Sequence, residues 1–298
     1  MPRERRNPRR LRLLAVRAHH RRIVPILGCV LLLAVWASAA QGAGTATGAP
    51  PSQALTAPVY GQTWAGYDAV AAAPGDGMRP YFTKITGAWR EPAAQCASVD
   101  SSQASVWVGL GGVLNTAAVY GPLQIGTDSD CEHGSAVYFA WYEAYPQPLV
   151  RVRLRVAPND ALAAMVSVDA AGAPVLTLED QTSGAGFTKV LRDVHLRPLA
   201  TDSAEWIVEG PAHRGPILTN FGSVSVTDAT ATQVGPSGVH SGSVDDPAWS
   251  YSEPDVLGGD NPGVHQSAVE RSAAPGPLTA SGDAFTVSFG AGALGVAQ

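Results

Sequence analysis

Ser203-Ala204-Glu205-Trp206-Ile207-Val208-Glu209-Gly210 is short and mostly apolar, yet it carries two carboxylates four residues apart. Read with period two, it puts Glu205, Ile207 and Glu209 on one face and Ala204, Trp206 and Val208 on the other. The second set is a core face. A carboxylate on an otherwise apolar strand is costly to bury unless it is paired or used. Extended geometry separates Glu205 from Glu209 by about 13 Å, so the two acids cannot share one task. Glu209 is the candidate base, and Trp206 is expected in the core.

Outward from this strand the chain repeats the same kind of segment. Ala104 to Leu110 and Ser135 to Glu143 read as buried strands, the latter with Val137, Phe139, Trp141 and Glu143 on one face. Residues 151–156 alternate arginine with apolar residues. Ala161 to Val168, Val175 to Glu179, Phe187 to Leu191, Ile217 to Phe221, Ser223 to Thr227 and Ala284 to Phe289 continue the pattern, broken by turns at Pro158-Asn159-Asp160 and Ala171-Gly172. Residues 235–277 are rich in Gly, Ser, Asp and Pro and read as loop. Short alternating runs without a βαβ rhythm predict an all-β sandwich or barrel, closed as one domain over residues 61–298.

The N-terminal segment reads differently. Residues 1–22 hold nine arginines and one glutamate, and Ile23 to Ala40 is apolar and closes on Ala37-Ser38-Ala39-Ala40. A basic region, an apolar run and small residues make a secretory signal peptide over residues 1–40. Residues 41–60 are an uncharged Ala/Gly/Pro/Thr/Ser leader or short pro-segment. An extracellular protein without stable membrane association after signal removal is therefore expected. Beyond residue 40, 11 basic residues face 24 acidic ones, and the only lysines are Lys84 and Lys189. Such a surface argues against nucleic acid as a partner. A monomer is expected. The two cysteines past the signal, Cys96 and Cys131, read as one disulfide in an oxidising compartment.

Motif chemistry narrows by exclusion. The chain has no Gly-x-Ser-x-Gly elbow, His-Glu-x-x-His, P-loop or dinucleotide fingerprint, and no Asp-Thr-Gly or Asp-Ser-Gly pair. His133, His195, His213, His240 and His265 are scattered in polar surroundings and read as surface residues, which leaves neither a serine triad nor a metal centre. What is left is carboxylates, aromatics and an amide. A glutamine side chain such as Gln124 can stabilise a developing negative charge through its N–H₂ without titrating.

Four segments then occur in one order: Trp107-Val108-Gly109-Leu110, Leu123-Gln124-Ile125-Gly126-Thr127-Asp128, Ala140-Trp141-Tyr142-Glu143-Ala144-Tyr145-Pro146, and Ala204-Glu205-Trp206-Ile207-Val208-Glu209. This order resembles the glutamic peptidases (eqolisins), secreted acid endopeptidases of fungi with bacterial relatives. The resemblance covers roughly Trp64 to Asp228. It implies an all-β antiparallel sandwich of jelly-roll, concanavalin-like type, built of two large sheets with a substrate groove on one of them, and a catalytic Gln–Glu dyad. Residue by residue, the dyad falls on Gln124 and Glu209, with Glu205 a supporting residue at the groove's edge. Trp64, Trp107, Asp128, Trp141 and Glu143 match positions that line or support the groove. Three positions depart from the family pattern: Gly111 and Phe139 stand where acids are common, and Ala144 stands where a second tryptophan is. The dyad implies a general-base mechanism without metal or cofactor, operating in acid. Two alternatives fit the same residues: a jelly-roll glycoside hydrolase using Glu143 and Glu209 with no amide between them, and a catalytically dead sandwich that binds polypeptides or glycans.

Overall fold

The alternation of residues 203–209 is realised as a strand at the centre of a sheet. The computed structural model describes residues 55–56, 59–61, 63–71, 80–96, 101–113, 122–194, 201–211, 217–257 and 272–290. The signal and nearly all of the leader segment, and His195, His213 and His265, lie outside them. Eighteen strands follow in chain order: β1 (Val59–Gly61), β2 (Trp64–Val70), β3 (Tyr81–Arg90), β4 (Ser101–Gln103), β5 (Ser105–Leu110), β6 (Leu123–Glu132), β7 (Ser135–Ala144), β8 (Val150–Arg151), β9 (Ala161–Val168), β10 (Pro174–Asp180), β11 (Ala185–Val190), β12 (Ser203–Glu209), β13 (Ile217–Leu218), β14 (Ser223–Gly235), β15 (Gly238–Ser243), β16 (Tyr251–Leu257), β17 (Ala273–Pro275) and β18 (Phe285–Phe289). No helix occurs among the described residues.

These strands form the predicted two-layer antiparallel sandwich. One layer runs β8-β7-β6-β5-β12-β2-β16, with β1 added parallel to β16. The other runs β11-β10-β9-β3-β14, and the far edge of β14 is shared between β18 and β15. The core lies between them. Ala204, Trp206 and Val208 of β12 pack with Val106, Val108 and Leu110 of β5 against Ile85, Leu162, Val166 and Leu178 of the second layer. Trp206 is fully buried, and its indole N–H donates to the Thr86 carbonyl at 2.7 Å. Burying a ring of that size stabilises by roughly 4–6 kcal/mol at about 25 cal/mol per Å². The indole bond keeps its polar edge satisfied.

Several expectations are corrected here. Residues 151–156 alternate in burial as predicted, with Leu154 and Val156 inside, but ladder pairing stops at Arg151. Alternation reports which side faces the core, and this segment finds no neighbouring strand beyond that point. The stretch 235–277, read as loop, contains β15, β16 and β17. Edge strands of Gly, Ser and His have little apolar periodicity to reveal them. Ser223 to Thr227 extends to Gly235, and Ile217 to Phe221 shrinks to two strand residues. Cys96 and Cys131 form the expected disulfide, with Cα atoms 5.4 Å apart, tying the segment after β3 to β6.

Candidate active site

The outer face of the first layer carries a second, separate apolar cluster: Trp107, Trp141 and Ile207, flanked by Trp64 and Phe139. Cross-strand partners share a face, so the register assigns three rows across this surface. The first is Asp68–Glu205–Gly109–Gln124–Glu143, the second Ile207–Trp107–Gly126–Trp141, the third Trp64–Glu209–Ser105–Asp128–Phe139. Every residue predicted for the site is therefore on one face. Trp107 sits close against the strands beside it. A Cβ on Gly126 would stand 2.2 Å from the Val106 carbonyl oxygen and 2.6 Å from the Trp107 Cβ, and one on Gly109 would stand 2.8 Å from the Trp107 ring. Glycine at 126 lets β5 and β6 approach, and glycine at 109 leaves room for the indole.

Glu209 ends β12, partly exposed. The Trp107 indole N–H donates to its Oε2 at 2.9 Å, and the Trp64 indole donates as well. The two indoles pack edge to face, with centroids 5.2 Å apart. Burial pushes the Glu209 carboxyl up from 4.5 to about 7; the two indole bonds pull it down, and the charges of Glu143 and Asp128 push it further up.

Gln124, on β6, is buried at 6% exposure. Its amide nitrogen donates to Glu143 Oε2 at 2.6 Å, and its amide oxygen is buried with no partner among the described residues. The bond fixes which end of the amide points where, leaving one N–H and the oxygen for other contacts. Burial raises Glu143, and the amide bond opposes that. Asp128 accepts from the Ser105 hydroxyl at 2.5 Å and from the Trp141 indole at 2.6 Å. Its carboxyl is nonetheless raised to about 6 by burial.

Glu205 does not stand at a groove edge. It is fully buried between β2 and β5, paired in register with the equally buried Asp68. Burial lifts it well above the usual range, the Ser203 hydroxyl counteracts weakly, and the charges of Asp202 and Asp255 add to the lift. No hydrogen bond of ordinary geometry reaches either of its oxygens among the described residues. It is an acid enclosed inside the sheet.

Sequence reading missed four participants. Ser105 holds Asp128, and its place two residues before Trp107 was the available signal. Arg151 lies with its guanidinium carbon 3.5 Å over the Phe139 ring; nothing local pointed to it. Glu91 is buried on the core side, accepting from Thr127 at 2.5 Å and Ser129 at 2.6 Å, and is raised to about 7 by burial. Asp130, two residues beyond Asp128, bonds the Ala104 amide and is raised to about 7, chiefly by burial. The described histidines stay out of the site; His240 pairs with Asp246 at 2.9 Å.

Comparison with known proteins identifies the class. The architecture matches that of scytalido-glutamic peptidase solved with a transition state analog inhibitor, with a TM-score of 0.55 and 20% identity over 76% of this chain and 98% of that one. A complex of the same peptidase with a peptide based transition state analog gives 0.54 at 20% identity and the same coverage. In sequence, the chain is 30% identical over 203 residues to Aspergillopepsin-2 of Aspergillus niger, covering 60% of this chain and 68% of that protein. Residues 62–249 match the Peptidase A4 family, and the chain belongs to that family: it is a protease that hydrolyses peptide bonds.

Proposed function

We propose that the chain is a secreted acid endopeptidase working through Gln124 and Glu209. The observation that carries this reading is the combination of a half-buried carboxylate favoured by two indole N–H groups and an amide oriented by Glu143 on the same face. In the ladder, Gln124 and Glu209 are two strands and four residues apart, about 16 Å between Cα atoms if the sheet were flat. The dyad reading requires their side chains to converge over Trp107 on a scissile carbonyl and one water. Ionised Glu209 takes a proton from that water as it attacks. The free N–H of Gln124 donates to the oxyanion, and protonated Glu209 returns the proton to the departing amine. No step calls on a metal or cofactor.

The pH behaviour follows from coupled acids sharing protons. At pH values where Glu143 and Asp128 are protonated, their like-charge contributions to Glu209 vanish, and the indole donors favour placing the first negative charge on Glu209. The ascending limb of kcat/KM is that ionisation, between the ordinary 4.5 and about 7. Secretion is supported by the signal-like residues 1–40, with residues 41–60 as leader or pro-segment. The mature protein acts as a monomer with no stable membrane association and no nucleic-acid partner. A glycoside hydrolase using Glu143 and Glu209 is disfavoured by the Gln124 amide on Glu143.

The test is hydrolysis of an unfolded protein substrate in acid, with pepstatin present. Wild type is expected to cut; Glu209→Gln should lower kcat by at least roughly 10³ and Gln124→Ala by roughly 10²–10³. Full activity in Glu209→Gln, or complete inhibition by pepstatin, would end the dyad reading.

A further inference from the structure

Arg151 is a fixed positive charge on a face otherwise built from acids, amides and indoles. It ends β8, opposite Trp141, and is exposed. Cross-strand partners share a face, so its side chain rises on the side that carries Gln124 and Glu209. The guanidinium lies over Phe139, which closes the row of Glu209, Ser105 and Asp128. Three interstrand spacings of about 4.8 Å put that ring roughly 14 Å from Glu209. An extended peptide covers this distance in about four residues, or fewer when its side chain leans toward the arginine.

Stacking on the ring covers one face of the guanidinium and leaves its N–H donors at the rim. Among the described residues no carboxylate stands within ion-pair distance of it. The acids that face it are Asp128 and Asp130 of β6, which its charge pulls downward, while burial holds them up at about 6 and about 7. Glu143 on β7 and Glu209 on β12 lie further along the face and are raised as well. Burial thus weakens the negative charge of the acids that face the guanidinium. The groove presents one cation with free donors and no carboxylate in ion-pair contact among the described residues.

We propose that Arg151, seated on Phe139, is a specificity-determining residue that selects substrates carrying a carboxylate two to four residues from the scissile bond. The inference rests on the reading of Glu209 as the base, from which that distance is counted. The carboxylate can be an Asp or Glu side chain or the C-terminus of a short peptide.

A panel of synthetic peptides distinguishes these sources. Each carries Glu, Gln or Lys at one position two to four residues from the cut on either side, with the C-terminus free or amidated. At pH 5 wild type should favour Glu over Gln at one such position by roughly three- to tenfold in kcat/KM, mainly through KM, the range of a partly desolvated ion pair. A preference seen only with free C-termini assigns the carboxylate to the chain end. Arg151→Gln should bring the Glu:Gln ratio to about one, and Arg151→Glu should turn the preference toward Lys. At pH 3, where the substrate carboxyl is mostly protonated, the wild-type ratio should shrink. Equal rates for Glu and Gln at every position overturn the proposal. So does a ratio that survives Arg151→Gln, whether or not that variant slows all peptides alike. Cleavage of the panel by Glu209→Gln at the wild-type rate would instead strike the dyad reading, on which the distance rule stands.

Discussion

Glu209 and Glu205 are four residues apart on one face of one strand, and their surroundings give them opposite fates. Glu209 stands at a strand end with two indole donors. Glu205 is enclosed by backbone, Asp68 and other acids. The indole donors favour the charged form, so removing one raises the carboxyl further. Trp107→Phe keeps the ring and removes the N–H. Its kcat/KM profile should show an ascending limb moved up by roughly one pH unit, measured on a neutral peptide. An unmoved limb would detach the Trp107–Glu209 bond from the ionisation that matters. At this scale the sequence was legible where motifs were dense. Spacing put Trp141 and Glu143 on one face of their strand, and the order of the family motifs pointed to Gln124 and Asp128. Arg151 could not be placed, because its partner Phe139 is reached only by the β7–β8 pairing and neither residue announces the other.

At the scale of the strand, register does the positioning. Glycine at 126 lets β6 approach β5 beside the Trp107 Cβ, while the Trp107 indole bonds Glu209 of β12 on the other side of β5. Gly126→Ala places a Cβ 2.2 Å from the Val106 carbonyl oxygen, so β5 and β6 must part. The cost is expected to exceed about 3 kcal/mol, the range of the more disruptive core substitutions. Gly186→Ala on β11, where the new Cβ meets nothing closer than 3.6 Å, is the control and should change stability by less than about 1 kcal/mol. Urea unfolding of both variants checks this. Strands with apolar alternation were predicted nearly to the residue, Ala161–Val168 among them. The edge strands β15 to β17 were not. Their positions come from backbone pairing with neighbours far off in sequence, and that pairing leaves no hydrophobic period.

The whole molecule is organised for acid. Glu91, Asp130 and Glu209 are each raised to about 7, Asp128 to about 6, and Glu205 well above its usual value, all chiefly by burial. A carboxyl raised in the folded state binds more protons there than in the unfolded chain, so stability falls as pH rises. The loss begins near the unfolded value of about 4.5 and continues through about 7. A shift of the size of Glu91's corresponds to roughly 3 kcal/mol. Melting temperature should therefore be highest below about pH 4.5 and drop steadily toward neutrality, followed by scanning calorimetry. A melting temperature that rises from pH 4 to 7 would contradict the burial of these acids. Glu91→Gln should flatten the curve, since it removes one proton from the balance.

The central claim is that Gln124 and Glu209 act on one reacting carbonyl, and a double-mutant cycle on single-turnover hydrolysis addresses it directly. If the two act as a unit, Gln124→Ala combined with Glu209→Gln should be no slower than the worse single variant. Losses that multiply, leaving the double variant slower by the product of the two, would show two independent residues and contradict the account.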